Sequence, residues 1–125
     1  MEAQQIFETV SKHLFHQGVQ STSQIGCAYR GDNGTSCAVG CLIPDEGYSP
    51  EMEGMDAHNL CMIFDSIESI GELKPFTELL MELQDAHDTG CNWADTKSML
   101  HALGRVARQY NLDVSFLGDL SFKDR

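Results

Sequence analysis

Gly31-Asp32-Asn33-Gly34 lies between two short runs of small and apolar residues, Gly26-Cys27-Ala28-Tyr29-Arg30 and Ser36-Cys37-Ala38-Val39-Gly40-Cys41-Leu42-Ile43. Such runs around an Asp-Asn-Gly turn are a hairpin signal. Its register is legible from the side chains. A two-residue turn at Asn33-Gly34 would put Cys27 and Tyr29 on the opposite face from Cys37, Val39 and Cys41. A three-residue turn over residues 32–34 gathers all five on one face. It leaves Ala28, Arg30, Ser36, Ala38 and Gly40 on the other, and a buried apolar set selects this second register. A hairpin of this size is marginal alone, so its apolar face must be covered by other elements.

Helices supply the cover. Ile6, Val10, His13, Leu14 and Gln17 recur at helical spacing with Phe7 beside them, and Gly18 follows as a C-terminal cap, which predicts a helix over residues 3–17. Residues 19–24 read as a polar loop, and residues 44–55, with Pro44, Gly47, Pro50 and Gly54, as irregular. Leu60, Ile63, Phe64 and Ile67 predict a second helix from Asp56 to about Ile70, ended by Gly71. Pro75 suits the first position of a third, with Phe76, Leu79, Leu80, Leu83 and His87 as its buried stripe. Asn92 is the expected N-cap of a fourth, which carries Trp93, Leu100, Leu103, Ala107 and Tyr110 and stops at Asn111. Residues 114–116 read as a short added strand, and the tail from Lys123 as frayed. The expected fold is α+β in a single domain over residues 1–125: about four helices packed on a two- or three-stranded antiparallel hairpin sheet.

Eight basic residues stand against nineteen acidic ones, for a net charge of −11. Nucleic-acid binding needs clustered cations to displace phosphate counterions, and here they are scattered, which argues against direct contact with nucleic acid. No apolar run approaches the roughly 20 residues of a membrane span, and the first residues lack a secretion signal. Five cysteines, an odd number, then suggest reduced thiols in a cytoplasm.

The candidate chemistry is thin. Cys27, Cys37, Cys41, His58, Cys61, His87 and Cys91 are metal-capable residues without a paired Cys-x-x-Cys knuckle. In a strand, Cys37 and Cys41 would hold their sulfurs about 13 Å apart, so buried core thiols are the expectation and no metal is assigned. A cysteine nucleophile paired with His58, His87 or His101 lacks the positive surroundings a thiolate needs. Asp45 with Glu46, and Glu51 with Glu53, read as solvated acids rather than a catalytic pair. His87 reads as a hydrogen-bonded core histidine and Trp93 as a core anchor. No catalytic residue and no cofactor is predicted.

From Cys27 to Gly54 the chain follows the pattern C-x-YRG-x-x-G-x-x-CA-x-G-x-LIPD-x-x-Y-x-x-x-MEG. It resembles a family of small proteins of tailed phages and prophages, with weaker similarity through the Leu83-Gln84-Asp85-Ala86-His87-Asp88 segment. The resemblance carries no activity. It implies a phage setting in a bacterial host's cytoplasm, where small accessory proteins often antagonise host defence.

Within the motif, Ala28, Ala38 and Gly40 would let a ligand approach closely, and Arg30 offers a planar fork for phosphate or carboxylate. Tyr29 and Tyr48 can stack, and Asp45 can accept from a ribose hydroxyl or an amine. The resulting expectation is a non-catalytic protein that sequesters a small anionic nucleotide-like signal through Tyr29, Arg30, Asp45 and Tyr48 as a homo-oligomer. The same residues also have a purely structural reading, with Arg30 paired to Asp45 or Glu46 and pinning the loop. Two alternatives stand beside the first function: an acidic inhibitor that docks on a host defence or nucleic-acid-binding protein, and a small enzyme using a cysteine or histidine.

Overall fold

The computed structural model describes residues 1–24 and 26–122. Helix α1, Ala3–Gln17, runs as expected and ends on Gly18 in the left-handed conformation, with φ 75°. At its start, the backbone N–H of Glu2 donates to Gln5 Oε1 at 2.8 Å, half of a reciprocal cap. Ile6, Phe7, Val10 and Leu14 bury the inner face. The expected α+β composition holds in coarse form, since helices accompany a small antiparallel sheet of two strands among the described residues, but that ribbon is largely exposed and not covered by them.

That sheet lies elsewhere than predicted. Strand β1, Thr22–Ser23, falls in the supposed polar loop and pairs with β2, Gly26–Cys27. Around Asp32–Gly34 only one bridge forms, Arg30 opposite Ser36, with Gly31 N donating to Thr35 O at 2.9 Å. This is the three-residue register the side-chain pattern favoured. The ladder stops there because residues 37–43 coil instead of extending: Cys41 N donates to Cys37 O at 3.0 Å and Gly40–Leu42 form a 3-10 turn. Coiling buries both supposed faces, so Ala28, Tyr29, Cys37, Ala38, Val39 and Gly40 are all inside, while Cys27 is exposed.

The second helix breaks in two, α2 (Ala57–Ile63) and α3 (Glu68–Leu73). Asp65 and Ser66 occupy the break, and their short polar side chains compete with helical backbone bonds. The bend buries Leu60, Ile70 and Leu73 and leaves Ile63 outside. A 3-10 turn over Lys74–Phe76 leads into α4, Thr77–Asp88. Helix α5 is Thr96–Tyr110, and Asp95 is its cap, accepting from Ser98 N at 2.8 Å. Asn92 instead belongs to a 3-10 turn, Gly90–Trp93. Asn111 ends α5 in the left-handed region as expected. The proposed strand at residues 114–116 is a turn, Ser115–Asp119, and the tail from Lys123 lies outside the described residues.

Helix α4 is the hub, packing on α1, α2 and α5. Its Leu79, Leu80 and Leu83 are buried in a cluster that extends from Ile6 to Phe122, and its His87 is buried as well. Phe122 stacks on Trp93 at 5.5 Å and meets Phe15 at 4.6 Å, tying the end of the described chain to α1.

Gly40 shows why the motif is rich in small residues: a Cβ there would meet the Tyr29 carbonyl oxygen, backbone against backbone. At Gly40 the missing side chain admits the chain's own backbone. Gly40→Ala is expected to destabilise the protein by about 2–3 kcal/mol in urea unfolding. Gly90→Ala, with open space around it, should stay within about 0.5 kcal/mol of the parent.

Candidate functional site

Glu53 organises the region that the motif singles out. Its carboxylate accepts from Tyr29 N at 2.8 Å, from Arg30 N at 3.0 Å and from the Tyr48 hydroxyl. The Tyr29 hydroxyl donates to the Met55 carbonyl, so residues 48–55 are clamped to residues 29–30 at both ends. Arg30 Nη1 pairs with Asp45, its Nη2 donates to Ile43 O at 2.6 Å, and the guanidinium lies 4.9 Å from the centre of the Tyr48 ring. Arg30, Asp45 and Tyr48 therefore come together beside one cleft, whereas the Tyr29 side chain lines a different one, and each of the four has an internal partner. Burial first, then the hydrogen bond to Glu53, pushes the Tyr48 phenol up to about 12. Burial likewise raises Tyr29.

An open cleft of about 630 Å³ runs beside Arg30, bounded by His13, Gly34, Ser36 and Tyr48. Asp45 is 91% exposed, so the ion pair that occupies Nη1 is a solvent-facing one. Arg30 Nε is buried without a hydrogen-bond partner. On the opposite wall His13 Nε2 bonds Ser36 O at 2.8 Å, and Gln17 brackets the same peptide unit, accepting from Ser36 N at 2.8 Å and donating to Ser36 O at 3.0 Å.

A second cleft, of about 300 Å³, opens between α4 and residues 53–57. Glu53, Asp56, Glu82, Asp85 and Asp88 line it, and among the described residues no Lys or Arg does. Its apolar surface comes from Ala28, Tyr29, Met55, Ala57 and Met81. Met81 is 40% exposed. Sequence reading missed this cleft, although Glu82, Asp85 and Asp88 recur every three residues, the spacing that puts carboxylates on one helix face.

At the end of α4, His87 is fully buried, as expected of a core histidine. Its Nε2 accepts from Ser21 N at 2.8 Å, so its proton sits on Nδ1, which donates to Asp88 at 2.7 Å. Cys27, His87 and Asp88 bring potential ligand atoms within 4.8 Å of one another. A metal on Nδ1 would require the proton to move to Nε2, against the Ser21 N–H, leaving two donors facing each other. The arrangement fits a structural dyad and disfavours a metal centre.

At four of the cysteines burial favours the thiol over the thiolate. Burial pushes the Cys37 and Cys41 thiols up to about 12. Burial also raises Cys61, and burial together with Asp88 raises Cys27. Cys37 and Cys41 are one turn apart, not extended along a strand: Cys37 Sγ accepts from Gly40 N, and Cys41 Sγ donates to Ala38 O. His58 and His101 stand exposed on α2 and α5.

No protein-family model, curated protein or solved structure matches this chain.

Two outcomes test the clamp and the buried joints. In urea unfolding, Glu53→Ala strands two backbone donors and a phenol and should cost about 2–3 kcal/mol, whereas Asp45→Asn should cost less than about 1 kcal/mol. Acid should weaken the fold in two steps. Burial holds His13 below its ordinary 6.5, so the stability of its neutral form is complete above that value and declines as pH falls below it. Asp88 is pushed up by burial, but bonds from His87 and Gln84 outweigh this and hold it below 3.8, adding a second loss in stronger acid. Melting temperatures from pH 8 to pH 3 should show both steps, and His13→Gln should flatten the first.

Proposed function

We propose that this chain is a non-catalytic accessory protein of the phage type that acts in a bacterial cytoplasm by docking its acidic side on a basic surface of a host protein. The observation that carries this reading is the α4 cleft, which is lined by five acidic residues and, among the described residues, by no Lys or Arg. A net charge of −11 speeds encounter with a basic surface and repels nucleic acid and anionic membranes. A host protein that grips nucleic acid, or one that serves defence, offers such a surface. The raised thiols and the locked His87 support a binding role over a cysteine or histidine enzyme.

A specific observation favours a second reading, capture of a small anionic nucleotide-like ligand at Tyr29, Arg30, Asp45 and Tyr48. The Arg30 cleft is open, and the exposed Asp45 carboxylate could yield Nη1 to an incoming phosphate at small cost.

Melting curves separate the two. Phosphate and a panel of mono-, di- and cyclic nucleotides should leave the melting temperature unchanged; a rise of several degrees that vanishes in Arg30→Ala would replace the first reading by the second. Host extract passed over the immobilised chain should yield a discrete protein released early in a salt gradient and not retained by a Glu82→Gln/Asp85→Asn column. Equal retention on both columns would count against docking through this side.

A further inference from the structure

We infer that Asn33-Gly34, at the tip of the Asp32–Gly34 turn, is a self-modification site where the main chain converts the asparagine amide to an isoaspartyl or aspartyl carboxylate. This goes beyond the docking reading and does not rest on it. Both residues are exposed, and the Asn33 side chain holds no hydrogen bond among the described residues. Asn33 stands in the left-handed region, with φ 60° and ψ 31°, and Gly34 follows at φ 75°. Ring closure needs the Asn33 ψ to swing until Cβ lies over Gly34 N, and two features permit the swing. Open space surrounds the position that a Gly34 Cβ would take, and glycine accepts the backbone conformations passed on the way. The turn is anchored on either side of that peptide: Gly31 N donates to Thr35 O at 2.9 Å, and Thr35 N donates to Asp32 O at a long 3.3 Å.

The step needs only water. Gly34 N loses its proton to solvent base and bonds Asn33 Cγ, the bond from Cγ to the side-chain nitrogen breaks, and ammonia leaves. Water then adds to one carbonyl of the five-membered imide. Opening at Cγ gives aspartate, and opening at the main-chain carbonyl gives isoaspartate, whose chain runs through Cβ. Either product puts a carboxylate in place of a neutral amide beside the Arg30 cleft, which Gly34 lines. The isoaspartyl form also adds a backbone carbon inside the Arg30–Ser36 bridge, whose register depends on loop length. The other asparagines differ at the attacking group: Asn59, Asn92 and Asn111 precede Leu60, Trp93 and Leu112. Leu60 N donates to Asp56 O at 3.0 Å and Leu112 N to Ala107 O at 2.9 Å, while the Asn92 side chain itself donates to Ala86 O at 3.0 Å. Asn111 is the sharpest comparison, exposed and left-handed like Asn33 but followed by a branched side chain.

The test ages the full chain, folded and in urea, in mildly alkaline buffer over several weeks. Intact mass, peptide mapping and enzymatic methylation of isoaspartyl groups read the outcome. In the folded chain Asn33 should gain the mass of the acid at least about tenfold faster than Asn59, Asn92 or Asn111. Its isoaspartyl product should exceed the aspartyl one about threefold, and the folded rate should lie within about tenfold of the rate in urea. Asn33→Gln, whose longer side chain closes a ring far more slowly, should abolish the early charge change on anion exchange, with melting curves confirming that it is folded. Asn33 left intact in the folded chain but modified in urea would overturn the proposal, since the turn would then protect the amide. Modification spread evenly over all the asparagines would overturn it too, as would aspartate formed without isoaspartate, the mark of direct hydrolysis.

Discussion

The carboxylate of Glu53 holds this part of the molecule in shape. A chain segment with two glycines and two prolines, residues 44–54, has little of its own to fix it, and its 3-10 turns supply few backbone bonds. One charged acceptor that takes two consecutive backbone N–H groups does what a strand partner would otherwise do. It also takes the Tyr48 hydroxyl, which closes the segment on itself. Hydrogen bonds to a charged acceptor are the stronger kind, and losing this one would leave three donors stranded in half-buried surroundings. The guanidinium of Arg30 stacks on a ring that is in place because of the same carboxylate.

A second joint anchors the small sheet to the helices. His87 takes the Ser21 N–H, the Ser21 hydroxyl donates to Ala28 O at 2.8 Å, and Gln20 reaches the His87 and Asp88 carbonyls at 3.1 Å. Trp93 Nε1 donates to the His87 carbonyl at 2.7 Å, so the last turn of α4 is satisfied from two different segments. Helix ends leave carbonyls without intrahelical partners, and here the polar side chains around the sheet provide them. The two-stranded ribbon is held by that joint more than by its own ladder.

These joints explain what sequence could and could not show. The long stripes of α1, α4 and α5 are legible because the apolar spacing and the packing agree: Leu79, Leu80 and Leu83 are where periodicity puts them. The single bridge of Arg30 with Ser36 is in the register that side-chain alternation selected. Alternation failed beyond it because it assumes a face that is dry and a face that is wet, and residues 37–40 are buried on both. In that setting the small residues answer to backbone contact, as Gly40 does against Tyr29, and carry no information about strand faces. The break at Asp65-Ser66 was hidden by an apolar period that continues across it. For the site, the motif led to Arg30, Asp45 and Tyr48, which do cluster, and to Tyr29, whose side chain faces elsewhere. Glu53 was seen only as one acid in an acidic loop, since its role depends on chain closure across 24 residues to Tyr29.

Tyr29 and Arg30 are neighbours whose side chains serve different clefts, Tyr29 the acidic one and Arg30 the open one. Glu53 accepts from the backbone of both, so the two clefts share one fixed wall. A ligand that pulled Arg30 out of its contacts with Ile43 and Tyr48 would strain the same peptide units that hold Tyr29 against Met55. The acidic cleft leaves those contacts undisturbed, because Arg30 does not line it. Charge and geometry thus favour the same side of the molecule: the side that needs no internal bond broken is the side that attracts a cation.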